Sequence, residues 1–194
     1  GGADAEPLAV FASSQLVTTA PRPADGCPAL LGKVHSIDVQ QILRRMEDAD
    51  IVCVLPLGAN ASGGDVRCVA SDELAVQVAT ALGAAKLVFF TRGQRIVDAR
   101  QGVPVPTLQV KDVRAIIKYA KETECFTGDS LAQEALRYMS LLAAALDGGT
   151  KRGHMIDASR GALLQELYTA DGRGTMVSRD LYDGLRLANP ADVA

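Results

Sequence analysis

The stretch Asp38-Val39-Gln40-Gln41-Ile42-Leu43-Arg44-Arg45-Met46-Glu47-Asp48-Ala49-Asp50-Ile51-Val52-Cys53-Val54-Leu55-Pro56-Leu57 carries the two building blocks of the fold side by side. Asp38 and Gln41 have the spacing of a capping box and predict a helix start. Val39, Ile42, Leu43 and Met46 recur at helical intervals and predict one apolar face. The run from Ile51 to Leu57 contains no charged or hydrogen-bonding side chain apart from the thiol of Cys53. It reads as a strand covered on both faces, with Cys53 as a small core residue.

The same alternation continues downstream. A loop with Ser62-Gly63-Gly64 leads to a second helix from Ser71-Asp72 to about Leu82, ended by Gly83. Lys86 to Phe90 reads as another buried strand, and Arg92 to Pro106 is irregular and rich in Gly and Pro, with a small hairpin. Val113, Ile116, Ile117 and Ala120 mark a third helix. Ser130 with Gln133 predicts the cap of a fourth, which runs to about Leu146 and stops at Gly148-Gly149. Leu131, Ala135, Tyr138, Leu141 and Leu142 are its expected core residues. A strand at His154 to Asp157, a short helix at Ala162 to Tyr168, a glycine turn and a strand at Thr175 to Ser178 follow. Upstream, the opening to about Pro23 is rich in Ala and Pro, with a strand-like stretch at Gln15 to Thr19. Helices alternating with apolar strands predict an α/β fold with a mostly parallel sheet flanked by helices, in which ligands bind at the carboxyl ends of strands.

Composition removes several function classes. Hydrophobic residues make up 48% of 194 and aromatics only 4%, so the core must be aliphatic. The net charge of -3 is dispersed, without the basic cluster that phosphate backbones require, so nucleic acid is not an expected partner. No apolar run approaches the ~20 residues of a membrane span. Four scattered cysteines without a C-x-x-C pair fit a reducing compartment. With two histidines, His35 and His154, there is no H-E-x-x-H, and no metal site is expected. His35 reads as a surface or packing residue. A P-loop and a G-x-S-x-G elbow are absent, and Gly172-Arg173-Gly174 lacks the third glycine of a dinucleotide fingerprint. No catalytic residue is assigned.

One segment points to a ligand: His154-Met155-Ile156-Asp157, then Leu163-Leu164-Gln165-Glu166-Leu167-Tyr168-Thr169-Ala170-Asp171-Gly172-Arg173-Gly174-Thr175-Met176-Val177. A strand ends in an acid, a short helix presents Glu166, and two glycines let backbone groups approach a small molecule. A carboxylate beside such groups suits a cationic amino acid, above all a guanidinium held by paired hydrogen bonds. From spacing alone, a surface turn with a solvated Glu166 is the stronger reading. Asp157 reads first as the cap of the helix that follows and second as an orienter of Lys or Arg groups near the site. Arg160 and Arg173 read first as solvated and second as steering an anion.

This segment resembles the carboxyl-terminal signature of the N-acetylglutamate synthase and N-acetylglutamate kinase family, H-x-x-D followed by L-L-x-E-[LI]-[FY]-T-x-[DE]-G-x-G-T-[ML]. The likeness extends to Val52–Gly64 with its P-[LI]-G loop, to Ser71–Phe90 with Ala84-Ala85-Lys86-Leu87, and to the strand at Gln15–Thr19. It implies an amino-acid-kinase-like, carbamate-kinase-like sandwich over residues 1–180, incomplete at its amino terminus, with 181–194 leading towards an acetyltransferase domain. It also implies an allosteric arginine site, with His154, Glu166, Gly172 and Gly174 as candidates. The sequence departs from the family where Ala158 stands for the usual Gly and where the stretch between His154 and Glu166 is shorter.

Kinase members carry N-[IV]-N-A-D where this chain has Cys68-Val69-Ala70-Ser71-Asp72, a lysine where it has Gln77, and T-[DN]-[VI]-x-G where it has Thr91-Arg92-Gly93. Phosphoryl transfer depends on such polar clamps, and one lost donor costs ~10²-fold. The losses resemble the synthase branch, in which the kinase-like domain regulates and an attached domain uses acetyl-CoA and L-glutamate to make N-acetylglutamate for arginine biosynthesis. L-arginine as effector, a homo-oligomer in which Ala143, Ala144 and Ala145 permit close helix packing, and a cytoplasmic or plastid stromal location are further implications. The alternatives are an N-acetylglutamate kinase and a non-catalytic scaffold that has lost ligand binding.

Overall fold

The computed structural model describes residues 10–21, 31–48, 51–60, 64–93, 96–98, 100–169 and 172–180. The predicted tail after Asp183, the turn at Arg22–Gly26, the Ser62-Gly63 pair and Cys27 lie outside them. The chain divides into two compact units, Gly1–Leu82 and Gly83–Ala194.

The first unit contains β1 (Val10–Ser13), β2 (Val17–Pro21), β3 (Gly32–Ile37), α1 (Val39–Asp48), β4 (Ile51–Val54), β5 (Leu57–Asn60), β6 (Val66–Cys68) and α2 (Ser71–Ala81). Its larger sheet has the order β3-β2-β5-β6, and β1 pairs with β4 in a separate parallel ribbon. The β2–β3 and β5–β6 pairs are antiparallel and β2–β5 is parallel. Gly58 explains the Pro56-Leu57-Gly58 loop physically, because a Cβ there would run into the backbone carbonyl of Val17 on the adjoining strand. Thr19, fully buried, donates its hydroxyl to the carbonyls of Gly58 or Ala59 and fastens the same approach. Asp38 caps α1 as predicted, accepting from the Gln41 amide at 2.9 Å.

Two expectations fail in this unit. Only Ile42 of the predicted helix face is buried, while Leu43 and Met46 are exposed. The strand from Ile51 is also not covered on both faces, since Ile51 and Cys53 are exposed and Cys53 is therefore no core residue. Among the described residues β4 has one neighbour, β1, and a strand paired on one side keeps much of its surface. The core here is Leu16, Val17, Ile42, Val69 and Leu74, packed by Phe11, Val34, Ile37, Val52, Val54, Val78 and Leu82.

The second unit contains β7 (Lys86–Thr91), β8 (Thr107–Gln109), α3 (Val110–Thr123), α4 (Ser130–Asp147), β9 (Arg152–Asp157), α5 (Ala162–Tyr168) and β10 (Thr175–Ser178). Its sheet has the order β7-β9-β10-β8. β7–β9 and β10–β8 are parallel, and β9–β10 is antiparallel. Of the seven ladders among the described residues four are parallel, so the sheets are mixed, with a narrower parallel majority than expected. The antiparallel β2–β3 and β5–β6 pairs join consecutive strands with no helix between them, whereas α5 lies between the antiparallel β9 and β10.

α4 packs on β7, β9 and β10, with α3 against its flank. Gly153 permits the contact, since a Cβ there would press on the Leu142 side chain. The buried stripe of α4 is Met139, Leu142, Ala143, Ala145 and Leu146. Leu131, by contrast, is exposed, so the predicted core set is correct at Leu142 and misplaced towards the helix start. The cap is Asp129 rather than Ser130, accepting from the amides of Leu131 and Ala132 at 3.0 Å. The small hairpin forms through the Val97–Pro104 bridge.

Candidate functional site

The site is built on the β9–α5–β10 segment. In β9 the residue Gly153 faces α4, and strand alternation turns His154 to the opposite face. There α5, which packs on β9, presents Glu166. His154 Nδ1 and Glu166 Oε1 lie 2.7 Å apart, and each side chain is only 5% exposed. With an ionised carboxylate as partner, Nδ1 carries the donated proton, a tautomer inferred from the pairing. Nε2 is buried without a partner.

The second oxygen of Glu166 is also committed. Oε2 accepts from the backbone amides of Arg173 at 2.8 Å and Gly174 at 3.0 Å. Glu166 is therefore not solvated, and its carboxylate ties the glycine turn to the imidazole of His154. Both glycines are sterically required. A Cβ on Gly172 would strike the Glu166 carboxylate, and one on Gly174 would strike the carbonyl oxygen of Met155. The four sequence candidates His154, Glu166, Gly172 and Gly174 thus form one connected cluster.

Asp157, Ser159 and Arg173 border the cluster; the sequence ranked capping for Asp157 and solvation for Arg173 above such a place, and did not single out Ser159. Asp157 caps no helix, because the residue preceding α5 is Gly161 in the left-handed region. Instead one Asp157 oxygen lies 3.5 Å from the Arg173 guanidinium, which reaches Ser159 Oγ at 3.3 Å. The other oxygen is buried and unpartnered. The Ser159 hydrogen bond, followed by the charge of Arg173, holds Asp157 below its ordinary value against the opposing effect of burial. The signal was available in the register. β9 and β10 pair Thr175 with Met155 and Met176 with His154, so the same antiparallel count brings 173 opposite 157.

Asp157, Arg173 and Gly174 line a cleft of about 180 Å³ together with Ile96, Pro104 and Pro106. Its polar groups are a carboxylate, a guanidinium and turn backbone, which suit a small ligand with a cationic end. They do not suit a pyrophosphate, because the amides of Arg173 and Gly174 already serve Glu166 and the turn leads into a strand. Among the described residues no His/Cys/Asp/Glu group could hold a metal ion, and no helix is long and apolar enough to cross a membrane.

The positions aligned with kinase chemistry carry other roles. Ala70, in place of the second asparagine, precedes α2 without a side-chain cap, and Asp72 and Glu73 stand in the first turn of the helix. Gln77 is exposed. In the second unit, Arg92 gives Nε and Nη2 to Glu134 at 2.9 and 2.6 Å.

The family model described as "Amino acid kinase family" matches residues 5–146. The amino-acid acetyltransferase of Aeromonas salmonicida is 30% identical over 163 residues, covering 84% of this chain and 35% of that protein. The amino-acid acetyltransferase of Vibrio cholerae is 31% identical, with 84% and 36% covered. The chain therefore spans about a third of the length of these relatives. Among solved structures, the N-acetylglutamate synthase of Neisseria gonorrhoeae with coenzyme A and N-acetyl-glutamate superposes with a TM-score of 0.75 at 26% identity, covering 96% of this chain and 41% of that one. The same synthase with coenzyme A and L-arginine gives 0.76 at 24%, with 100% and 43% covered. A carbamate kinase from Giardia gives 0.62 at 12%, with 90% and 64% covered, a likeness of fold alone. The resemblance read from the sequence, and the α/β amino-acid-kinase-like fold it implied, are borne out.

Proposed function

This chain belongs to the amino acid kinase family, and we propose that it is the non-catalytic, effector-binding domain of an N-acetylglutamate synthase, with L-arginine as the effector. The observation that carries this reading is the buried Glu166 carboxylate, which fixes the glycine turn beside a cleft with an acid at its end. His154, Glu166, Gly172 and Gly174 shape the site, and Asp157 supplies the carboxylate oxygen for a guanidinium. The relatives named acetyltransferases, and the synthase crystallised with L-arginine, agree with it.

In this reading the acetyl-CoA chemistry belongs to an acetyltransferase domain joined to or associated with this one. The assembly is a homo-oligomer in the cytoplasm or the plastid stroma. Arginine binding alters how the attached domain works. Kinase activity is not retained in this reading, since Cys68 and Ala70 stand where the kinase stretch has its two asparagines and Gln77 where it has a lysine. ADP formed from ATP and N-acetylglutamate by this chain would reverse that conclusion.

Isothermal titration tests the site. L-arginine gives a saturable heat with the wild type, and Glu166→Gln, with its fold checked by circular dichroism, loses most of it. Absence of heat with the wild type rejects the effector site. A scaffold without a ligand is the second reading, favoured by one observation: Glu166 already has three hydrogen-bond partners before any ligand arrives.

A further inference from the structure

We infer that Arg173 is an internal stand-in for the effector: its guanidinium occupies the place beside Asp157 that the side chain of free L-arginine takes, so the two compete. This rests on the effector reading above and specifies how the site is regulated. Arg173 sits between Gly172 and Gly174, and its amide is fixed by Glu166. The side chain hangs from an anchored backbone, so its root stays beside the cleft whatever the ligand does. It lies 3.5 Å from Asp157 Oδ2 and 3.3 Å from Ser159 Oγ.

The fit is incomplete in a specific way. A guanidinium and a carboxylate pair best through two parallel hydrogen bonds. Here a single nitrogen approaches one oxygen at long range, and Asp157 Oδ1 is buried with no donor. The tether from the turn does not let Arg173 present its fork squarely. A free arginine, able to enter the cleft in its own orientation, can engage both oxygens. The Arg173 side chain is 37% exposed, so it can swing into solvent while the incoming guanidinium takes over the pairing with Asp157, whose side chain is 19% exposed. Displacing such a half-exposed pair carries a modest cost, which sets a competition rather than a block. The residue between the two glycines then tunes the sensitivity of the domain while the anchored turn stays unchanged, because Glu166 binds only its backbone.

The test compares wild type, Arg173→Ala and Asp157→Asn by titration with L-arginine and by thermal shift with methylguanidinium at millimolar concentration. Arg173→Ala binds L-arginine roughly threefold to fivefold more tightly than wild type, the affinity released by removing a partly exposed ion pair. Methylguanidinium raises the melting temperature of Arg173→Ala more than that of wild type, and Asp157→Asn loses both responses. Equal or weaker arginine binding by Arg173→Ala overturns the competition and leaves the effector site standing. A methylguanidinium response that is the same in wild type and Arg173→Ala also overturns it. If neither protein binds arginine the effector reading falls, and the methylguanidinium shift alone then decides whether the cleft is a guanidinium site.

Discussion

The ribbon of β1 and β4 in the first unit is more apolar in sequence than β9 and β10 at the centre of the second unit's sheet, yet it is the less buried of the two. β10 has neighbours on both edges and α4 on one face, and all four of its residues are buried. β4 pairs only with β1 among the described residues, and its residues alternate between exposed and half-buried. A string of apolar side chains gives a strand the capacity for burial. Whether that capacity is used depends on how many elements close over it. Polar groups divide the same way. In the second unit the buried Glu166 satisfies two amides and an imidazole, while in the first the start of α2 relies on the local contact between Asp72 and the Glu73 amide.

The contrast yields graded expectations. The largest effect is at Gly174, where Gly174→Val forces a side chain into the Met155 carbonyl and the Ile156 side chain. It should cost more than about 4 kcal/mol and leave the second unit unfolded at 37 °C, as seen by circular dichroism. Glu166→Ala comes next. It strands two amides and a buried imidazole, and should cost about 3 kcal/mol in urea unfolding. At the other extreme, Cys53→Ser in β4 should stay within about 0.5 kcal/mol of the parent, because the thiol is exposed. A large loss at Cys53 would show that this ribbon is covered in solution, and would break the comparison outright.

Much of this was legible in the residues. Asp38 announced α1, Gly83 ended α2 with a φ of 59°, and Ala162 to Tyr168 formed a helix with those limits. The four site candidates, named on the resemblance, converge, although spacing alone favoured a surface turn with a solvated Glu166. What escaped the sequence depended on partners distant along the chain. The exposure of Leu43 and Ile51 reflects missing neighbours, which periodicity does not report. Asp129 took the capping role from Ser130 because the helix begins one residue earlier than the Ser130–Gln133 spacing implied. The pairing of Asp157 with Arg173 is a matter of strand register, and no local pattern around either residue encodes it. The short strands β5, β6 and β8 carry too few residues for an alternation to stand out.

The strand order β7-β9-β10-β8 has a temporal consequence. β8 is made well before β10, yet among the described residues it joins the sheet only through β10. A ribosome releases the chain from its amino end, so β8 must remain unpaired until Thr175 and its successors emerge. The last of the described strands to be synthesised is the keystone of the second unit's sheet, and it is also the strand into which the Glu166-bound turn leads. Completion of this half of the molecule during translation and assembly of its pocket are therefore one and the same event.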